Sequence, residues 1–196
     1  MIAIVDYRAG NLASVKKALD HLGVQSCITP NPEAVAIADK VILPGVGHFS
    51  STAVLDQTGL RAAIFEQFNK RVPFLGICVG MQWMFDTSEE AEEIPGAGVF
   101  TGKCERFPGT VKSPHVGWNS LECAGSSRLL RGIHSGSFVY FTHSYRAPVT
   151  RTTVACTEYG GEFSAAVEHD HLFGVQFHPE KSGPTGLKLL QNFCEL

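Results

Sequence analysis

Four short apolar runs, at residues 2–6, 24–28, 41–43 and 74–77, alternate in the first half of the chain with stretches of helical spacing. That alternation leaves few folds open. A strand covered on both faces reads as a continuous apolar run, and parallel neighbours must be joined by a crossover, usually a helix. Residues 12 to about 22 have the spacing of such a helix, with Asn11 placed to cap it and Gly23 to end it, and residues 60–69 have it too. The expectation is an α/β protein: a doubly wound domain around a central, mostly parallel sheet. In such a sheet ligands collect at the carboxyl ends of the strands.

The second half reads differently. Segments 103–107, 116–122, 138–145, 154–159, 163–168 and 172–177 are strand-like with turns between them, so this half is β-rich. An amphipathic helix from 185 to about 194, with Leu187, Leu190 and Phe193 on one side, follows them. No repeat, low-complexity tract or linker divides the chain, and 196 residues suit one domain, 1–196, with one core. Sixteen Lys and Arg stand against 19 Asp and Glu with no basic run, which removes the charge that dominates nucleic-acid binding. Residues 1–7 are apolar but broken by Asp6, and lack the basic start and cleavage site of a signal peptide; no apolar run is long enough to span a bilayer. The six cysteines form no Cys-x-x-Cys pair, which argues against a structural zinc and a disulfide framework. A soluble cytoplasmic protein with reduced thiols, no metal and no cofactor is expected.

Chemistry enters where the apolar run at 74–77 meets Gly76-Ile77-Cys78-Val79-Gly80 and then a helical pattern from Met81 to Phe85. This is the arrangement of a nucleophile elbow with Cys in place of Ser: a sharp strand-to-helix turn exposes the nucleophile, and flanking glycines keep side chains away from it. A thiol at a helix amino terminus is favoured as thiolate, the attacking form. A lone cysteine is more often an inert core thiol. What changes the balance is Phe177-His178-Pro179-Glu180, where a strand ends in a histidine with a carboxylate two positions on. Residues two apart in extended chain point the same way, so Glu180 can hold the imidazole nitrogen that faces away from Cys78, leaving His178 as its base and as the acid for a leaving nitrogen. The expected reaction is attack on a carbonyl of the amide type. Pro44-Gly45-Val46-Gly47 adds a flexible loop whose backbone N–H groups at Val46 and Gly47, with that of Val79, suit an oxyanion hole. Three other features read as ordinary structure: His169-Asp170-His171 as a hairpin turn, the acidic run from Ser88 to Glu93 as a solvated helix end, and Gly10-Asn11 as a plain helix cap.

With these residues in view, the chain resembles the class I, or triad, glutamine amidotransferases, whose fold is flavodoxin-like. Gly76 to Gln82 and His178-Pro179-Glu180 carry the class-level resemblance. More specific are Asp6-Tyr7 with Gly10-Asn11-Leu12, Pro44 to Gly47, Pro114 to Asn119, Tyr140 to Tyr145, and Lys181-Ser182 directly after Glu180, which are similar to the glutaminase-subunit family of imidazole glycerol phosphate synthase, from histidine biosynthesis. The resemblance runs from Asp6 to Phe193. It implies glutamine as substrate, a Cys78-His178-Glu180 triad, Gln82 and Glu90 around the amino-acid end of that substrate, and Gly47 with the backbone of Ser144 and Tyr145 completing the pocket. It also implies a heterodimer with a TIM-barrel cyclase subunit that takes the released ammonia through an internal channel and makes imidazole glycerol phosphate and AICAR. Asn11, Trp118 and Lys181 fall on the implied contact face.

Arg8 stands where the family usually has glycine, and Val116 and Thr142 replace a more familiar methionine and valine. Two other functions remain open on the residues alone: a glutaminase serving a different ammonia-using synthase, and a non-catalytic flavodoxin-like module with a reactive cysteine. The second would have no need of His178 and Glu180 at this spacing.

Overall fold

The computed structural model describes residues 1–196. The first half is built as the alternation predicts. Strand β1 (Ile2–Val5) leads to α1 (Leu12–His21), β2 (Ser26–Thr29), α2 (Pro32–Ala36) and β3 (Lys40–Gly45), then to α3 (Ala53–Gln57), α4 (Leu60–Asn69), β4 (Phe74–Cys78) and α5 (Val79–Trp83). Every residue of β1 and β4 is buried, which is why these strands are apolar without alternation. The later elements are β5 (Thr87–Ser88), β6 (Lys103–Arg106), β7 (His115–Ser120), β8 (Glu122–Cys123), β9 (Phe138–His143), β10 (Tyr145–Arg146), β11 (Thr153–Glu158), β12 (Glu162–His169), β13 (Leu172–Val175) and α6 (Gly183–Cys194).

The central sheet runs β2-β1-β3-β4-β13-β12-β11-β8. Strands β2 through β13 in that order pair parallel, and β12, β11 and β8 extend the sheet antiparallel. The start of the order, β2-β1-β3-β4, is the flavodoxin-like winding. Two smaller sheets, β10-β6-β5 and the antiparallel pair β7-β9, stand apart from it. One buried cluster joins both halves, from Ile2 and Leu43 to Phe141, Phe163 and Phe193. No helix is long and apolar enough to cross a membrane, and the six cysteines are free thiols.

Several local expectations are corrected. The third strand extends through Pro44 and Gly45, so half of the supposed turn is sheet and the loop begins at Val46. Pairing with β4 through Gly45 and Cys78 holds it there. The stretch 116–122 splits into β7 and β8, which belong to different sheets, and 138–145 splits into β9 and β10. The helix after the elbow ends at Trp83, with Met84 as its cap. Asn11 stands at the start of α1 but its side chain makes no capping bond. On α6 the inner face carries Leu189 with Leu190 and Phe193, while Leu187 is only partly buried. The acidic run is not a helix end: Thr87–Ser88 is a strand, and Glu89 accepts from Arg106 N–H at 2.9 Å. Two short helices, α2 and α3, and a 3-10 turn at Phe49–Thr52 have too few residues for periodicity to reveal them. His169 to His171 lies where β12 turns into β13, as expected, with Asp170 at φ 53°.

Candidate active site

Cys78 is the last residue of β4 and immediately precedes α5, at φ 54° and ψ −109°. A non-glycine residue held in the left-handed half of φ space is strained, and surrounding packing must enforce it. The packing is close enough to do so. A Cβ added to Gly80 would lie 1.8 Å from the Leu43 carbonyl oxygen, so α5 sits directly on β3. A Cβ on Gly45 would lie 2.4 Å from the Tyr7 hydroxyl and 2.9 Å from Gly80 N. Glycine at both places is what allows β1, β3 and the elbow to converge.

Parallel pairing of β13 with β4, Val175 opposite Ile77, carries the chain out of the sheet beside the nucleophile and delivers His178 two residues after Gln176. His178 Nδ1 donates to Glu180 Oε1 at 2.9 Å, with both side chains 1% exposed. Nε2 has no hydrogen-bond partner and is free toward Cys78. Burial, the largest single influence, pulls the His178 pKa down; the neighbouring Cys78 sulfur and Glu180 carboxylate together outweigh it and raise the value to about 10. The raised value keeps the His178 ring protonated near neutral pH, where it can act as an acid. The turn is tied down from behind: Ser182 Oγ donates to His178 O at 2.6 Å and accepts from Tyr140 N–H at 2.9 Å.

In front of the sulfur lies a cavity of about 200 Å³ lined by Gly47, Cys78, Val79, Gln82, Glu90, Ser144 and Tyr145, together with Pro114, Thr142 and His143. The first seven are all residues named from sequence. Glu90 accepts from Phe49 N–H at 2.7 Å, so it braces the segment after Gly47 and also borders the cavity. Gln82 is committed inward, where its Nε2 donates to Tyr145 O at 2.9 Å and to Gln176 Oε1 at 3.0 Å. Register pairs Gly45 with Cys78, so Val46 follows one strand beside the residue, Val79, that follows the other. The N–H groups of Val46 and Gly47 make no hydrogen bond within the chain. Gly47 has φ 99°, a value open to glycine.

Below the cavity two buried imidazoles fix its Ser144–Tyr145 wall. His143 Nδ1 is 2.8 Å from Tyr145 O, a carbonyl that can only accept, so Nδ1 carries the proton and Nε2 is an acceptor. His115 Nδ1 then donates to it at 3.4 Å. Burial pulls His115 down to about 4 and is the largest cause holding His143 near 3, so both are neutral. Neither residue, nor Gln176, nor Ser182, was assigned a role from sequence. Their side chains matter through partners distant in the chain, and no local spacing announces that.

Trp118 is 55% exposed on β7, and Val116 and Phe138 beside it on the β7-β9 pair are exposed as well. The Trp118 ring meets Tyr140 edge-on at 6.1 Å, and Lys181 Nζ stands 5.9 Å over the same Tyr140 ring. These residues form one outward face next to the His178 turn. Asn11 lies half-buried at the start of α1, whose Ser14 shares a cleft with Pro179 and Glu180. Arg8 has φ 67°, which explains why a glycine would be at ease there. Two wider clefts at the opposite end of the sheet are lined by pairs such as Arg128 with Glu168 and hold none of the reactive groups.

Comparison with known proteins bears on this geometry. A family profile described as Glutamine amidotransferase class-I matches residues 3–196. A protein of Methanocaldococcus jannaschii named imidazole glycerol phosphate synthase subunit HisH is 46% identical over 197 residues, covering 100% of both chains. One of the same name from Moorella thermoacetica is 48% identical over 198 residues, covering 100% of this chain and 94% of that one. Among solved structures, one described as a glutamine amidotransferase superposes with a TM-score of 0.79 at 18% identity, covering 100% of this chain and 98% of that one. PurLQS from Thermotoga maritima superposes with a TM-score of 0.78 at 18% identity, covering 99% and 97%. At those identities the structures speak for the fold alone.

Proposed function

This chain belongs to the class-I glutamine amidotransferase family, and on that premise we propose that it is the glutaminase subunit of an imidazole glycerol phosphate synthase, with residues 1–196 forming one glutaminase domain. The observation that carries the reading is the enclosed Cys78-His178-Glu180 cluster opening on a cavity of about 200 Å³. Full-length relatives bearing that synthase's name support the choice of synthase.

In the proposed reaction the Cys78 thiolate attacks the side-chain amide carbon of glutamine, and the carbonyl oxygen becomes an oxyanion facing the N–H groups of Val46, Gly47 and Val79. The intermediate collapses as His178 Nε2 gives its proton to the leaving nitrogen, releasing ammonia and leaving a glutamyl thioester with neutral imidazole. Nε2 then takes a proton from water, which restores the imidazolium, as the hydroxide adds to the thioester carbon; collapse expels the thiolate and yields glutamate after loss of one proton. Glu180 stays ionised throughout and keeps Nδ1 protonated. Gln82, Glu90 and the Ser144–Tyr145 backbone hold the amino-acid end of the substrate. Ammonia that escapes to water is protonated and no longer nucleophilic, so a cyclase subunit collects it directly. The face containing Trp118 and Lys181, with Asn11 at its edge, is where that subunit docks, and the assembled pair works in the cytoplasm, where the free thiols stay reduced.

The test is glutamate release by the purified chain mixed with a candidate cyclase subunit and its nucleotide substrate. Glutamine-dependent formation of imidazole glycerol phosphate supports the proposal. Release with no product from that cyclase, but with product from another ammonia-using synthase, would move the chain to a different partner.

A further inference from the structure

Gln176 has no exposed surface, and its carboxamide lies between the nucleophile Cys78 and Gln82. Its Oε1 accepts from Gln82 Nε2 at 3.0 Å, and its Nε2 is 3.5 Å from Cys78 Sγ. The orientation of this amide follows from a chain of constraints. The Tyr145 carbonyl can only accept, so the group that reaches it from Gln82 is Nε2, at 2.9 Å. The second hydrogen of that nitrogen then meets Gln176, whose facing atom must be the oxygen. The nitrogen of Gln176 is thereby left facing the sulfur.

We propose that Gln176 is a positioning and thiolate-stabilising residue: its N–H donates to Cys78 Sγ and its oxygen holds Gln82 in the orientation the substrate cavity requires. Sulfur in a thiol accepts weakly, whereas a thiolate is a full anion, so an N–H aimed at it stabilises the attacking form over the protonated one. The Thr142 carbonyl, 3.9 Å from Sγ, can only receive a thiol hydrogen and favours the resting form. Gln176 is thus the counterweight to Thr142. The titratable groups around the sulfur are His178 and, just beyond β1, Tyr7, with Glu90 and the neutral His143 lining the same cavity. Burial keeps Tyr7 protonated, so it brings no competing charge. The same carboxamide also couples nucleophile to substrate: it contacts Cys78 on one side and Gln82, which lines the cavity, on the other.

This inference rests on the glutaminase reading for its kinetic consequence but not for its chemical one. The experiment is the pH dependence of Cys78 alkylation by iodoacetamide in the intact chain, beside kcat and KM for glutamine in the assembled enzyme, for wild type, Gln176→Glu and Gln176→Met. Gln176→Glu keeps the shape and the acceptor for Gln82 but presents oxygen to the sulfur; Gln176→Met keeps the volume and removes both bonds. The expected result is a midpoint of alkylation raised by about one pH unit and kcat lowered about tenfold in Gln176→Met, the scale of one hydrogen bond to a charged group, and larger changes in the same direction in Gln176→Glu, whose carboxyl group adds like charge beside the sulfur. KM should rise further in Gln176→Met, because Gln82 loses its anchor there alone. Should Gln176→Met not fold, the Gln176→Glu midpoint decides. Unchanged midpoints in the folded variants would overturn the proposal. A wild type that is alkylated normally but hydrolyses no glutamine in any assembly would instead overturn the glutaminase reading and leave the shift in midpoint to be judged by itself.

Discussion

His178 and Glu180 are joined by a single hydrogen bond, Nδ1 to Oε1 at 2.9 Å, in a place where each side chain is 1% exposed. The opposite nitrogen is unpartnered, so the ring is oriented and charged from one side and free to exchange a proton on the other. Glu180→Gln keeps the shape and removes the charge that helps raise the His178 pKa to about 10. The raised value means the imidazolium is present below about 10, and loss of the anion brings that limit down. Turnover should fall by roughly 10²–10⁴, and the alkaline limb of the kcat profile should move to lower pH. A variant with the wild-type alkaline limb would separate Glu180 from the acid function of His178.

The loop after β3 gives a second expectation. Val46 N–H has no partner in the chain and stands beside the elbow. Val46→Pro removes that donor, and one oxyanion donor is typically worth ~10²–10³ in turnover. The chain alone should be a poor glutaminase, the complex with nucleotide-bound cyclase should be faster by orders of magnitude, and Val46→Pro should stay slow in both. Glutamate release measured in each state checks this; equal rates for wild type and Val46→Pro in the complex would remove Val46 from the oxyanion hole.

The paired imidazoles predict how stability responds to acid. His115 sits at about 4 and His143 at about 3, against 6.5 for a free imidazole, with burial the leading cause in each. Between pH 6.5 and those values the unfolded chain takes up protons that the folded chain refuses, so folding stability declines as pH falls through that window and is unaffected above it. The limit is ~1.4 kcal/mol per pH unit for each group. His115→Phe keeps the stacking against the Tyr159 ring at 4.0 Å and removes one titrating site. Urea unfolding midpoints from pH 7 to 4 should decline less steeply in the variant; parallel slopes would mean that the folded chain protonates His115 freely.

The outward face beside the His178 turn offers a fourth test. Trp118 and Lys181 both rest on Tyr140 and are exposed, so they add little to the core. Trp118→Ala and Lys181→Ala should each weaken association with the cyclase by roughly tenfold or more, the range of a central interface residue, with the unfolding temperature of the isolated chain nearly unchanged. Titration calorimetry with the purified partner reads it, and unimpaired binding by both variants would place the docking face elsewhere.

Much of this site was determined by sequence alone, because its chemistry is local. A sharp turn needs its glycines next to Cys78, a strand exit puts His178 and Glu180 two residues apart, and parallel strands buried on both faces must be apolar throughout. Those constraints act over a few residues and leave a readable spacing. The tertiary structure decided what depends on pairing across long separations. The split of 116–122 and 138–145 between sheets follows from which strand finds which neighbour, and no periodicity distinguishes the alternatives. The local sequence around Glu90 reads as a solvated acidic run, and only the family resemblance set it at the substrate; its bond to Phe49 N–H, 41 residues away, is visible in the packed structure alone. Gln176, 98 residues from Cys78, touches the sulfur because β13 pairs with β4. Hydrogen-bond geometry around a buried amide or imidazole is set by where each acceptor ends up once the sheet has closed, and that is a property of the packed molecule, not of any segment within it.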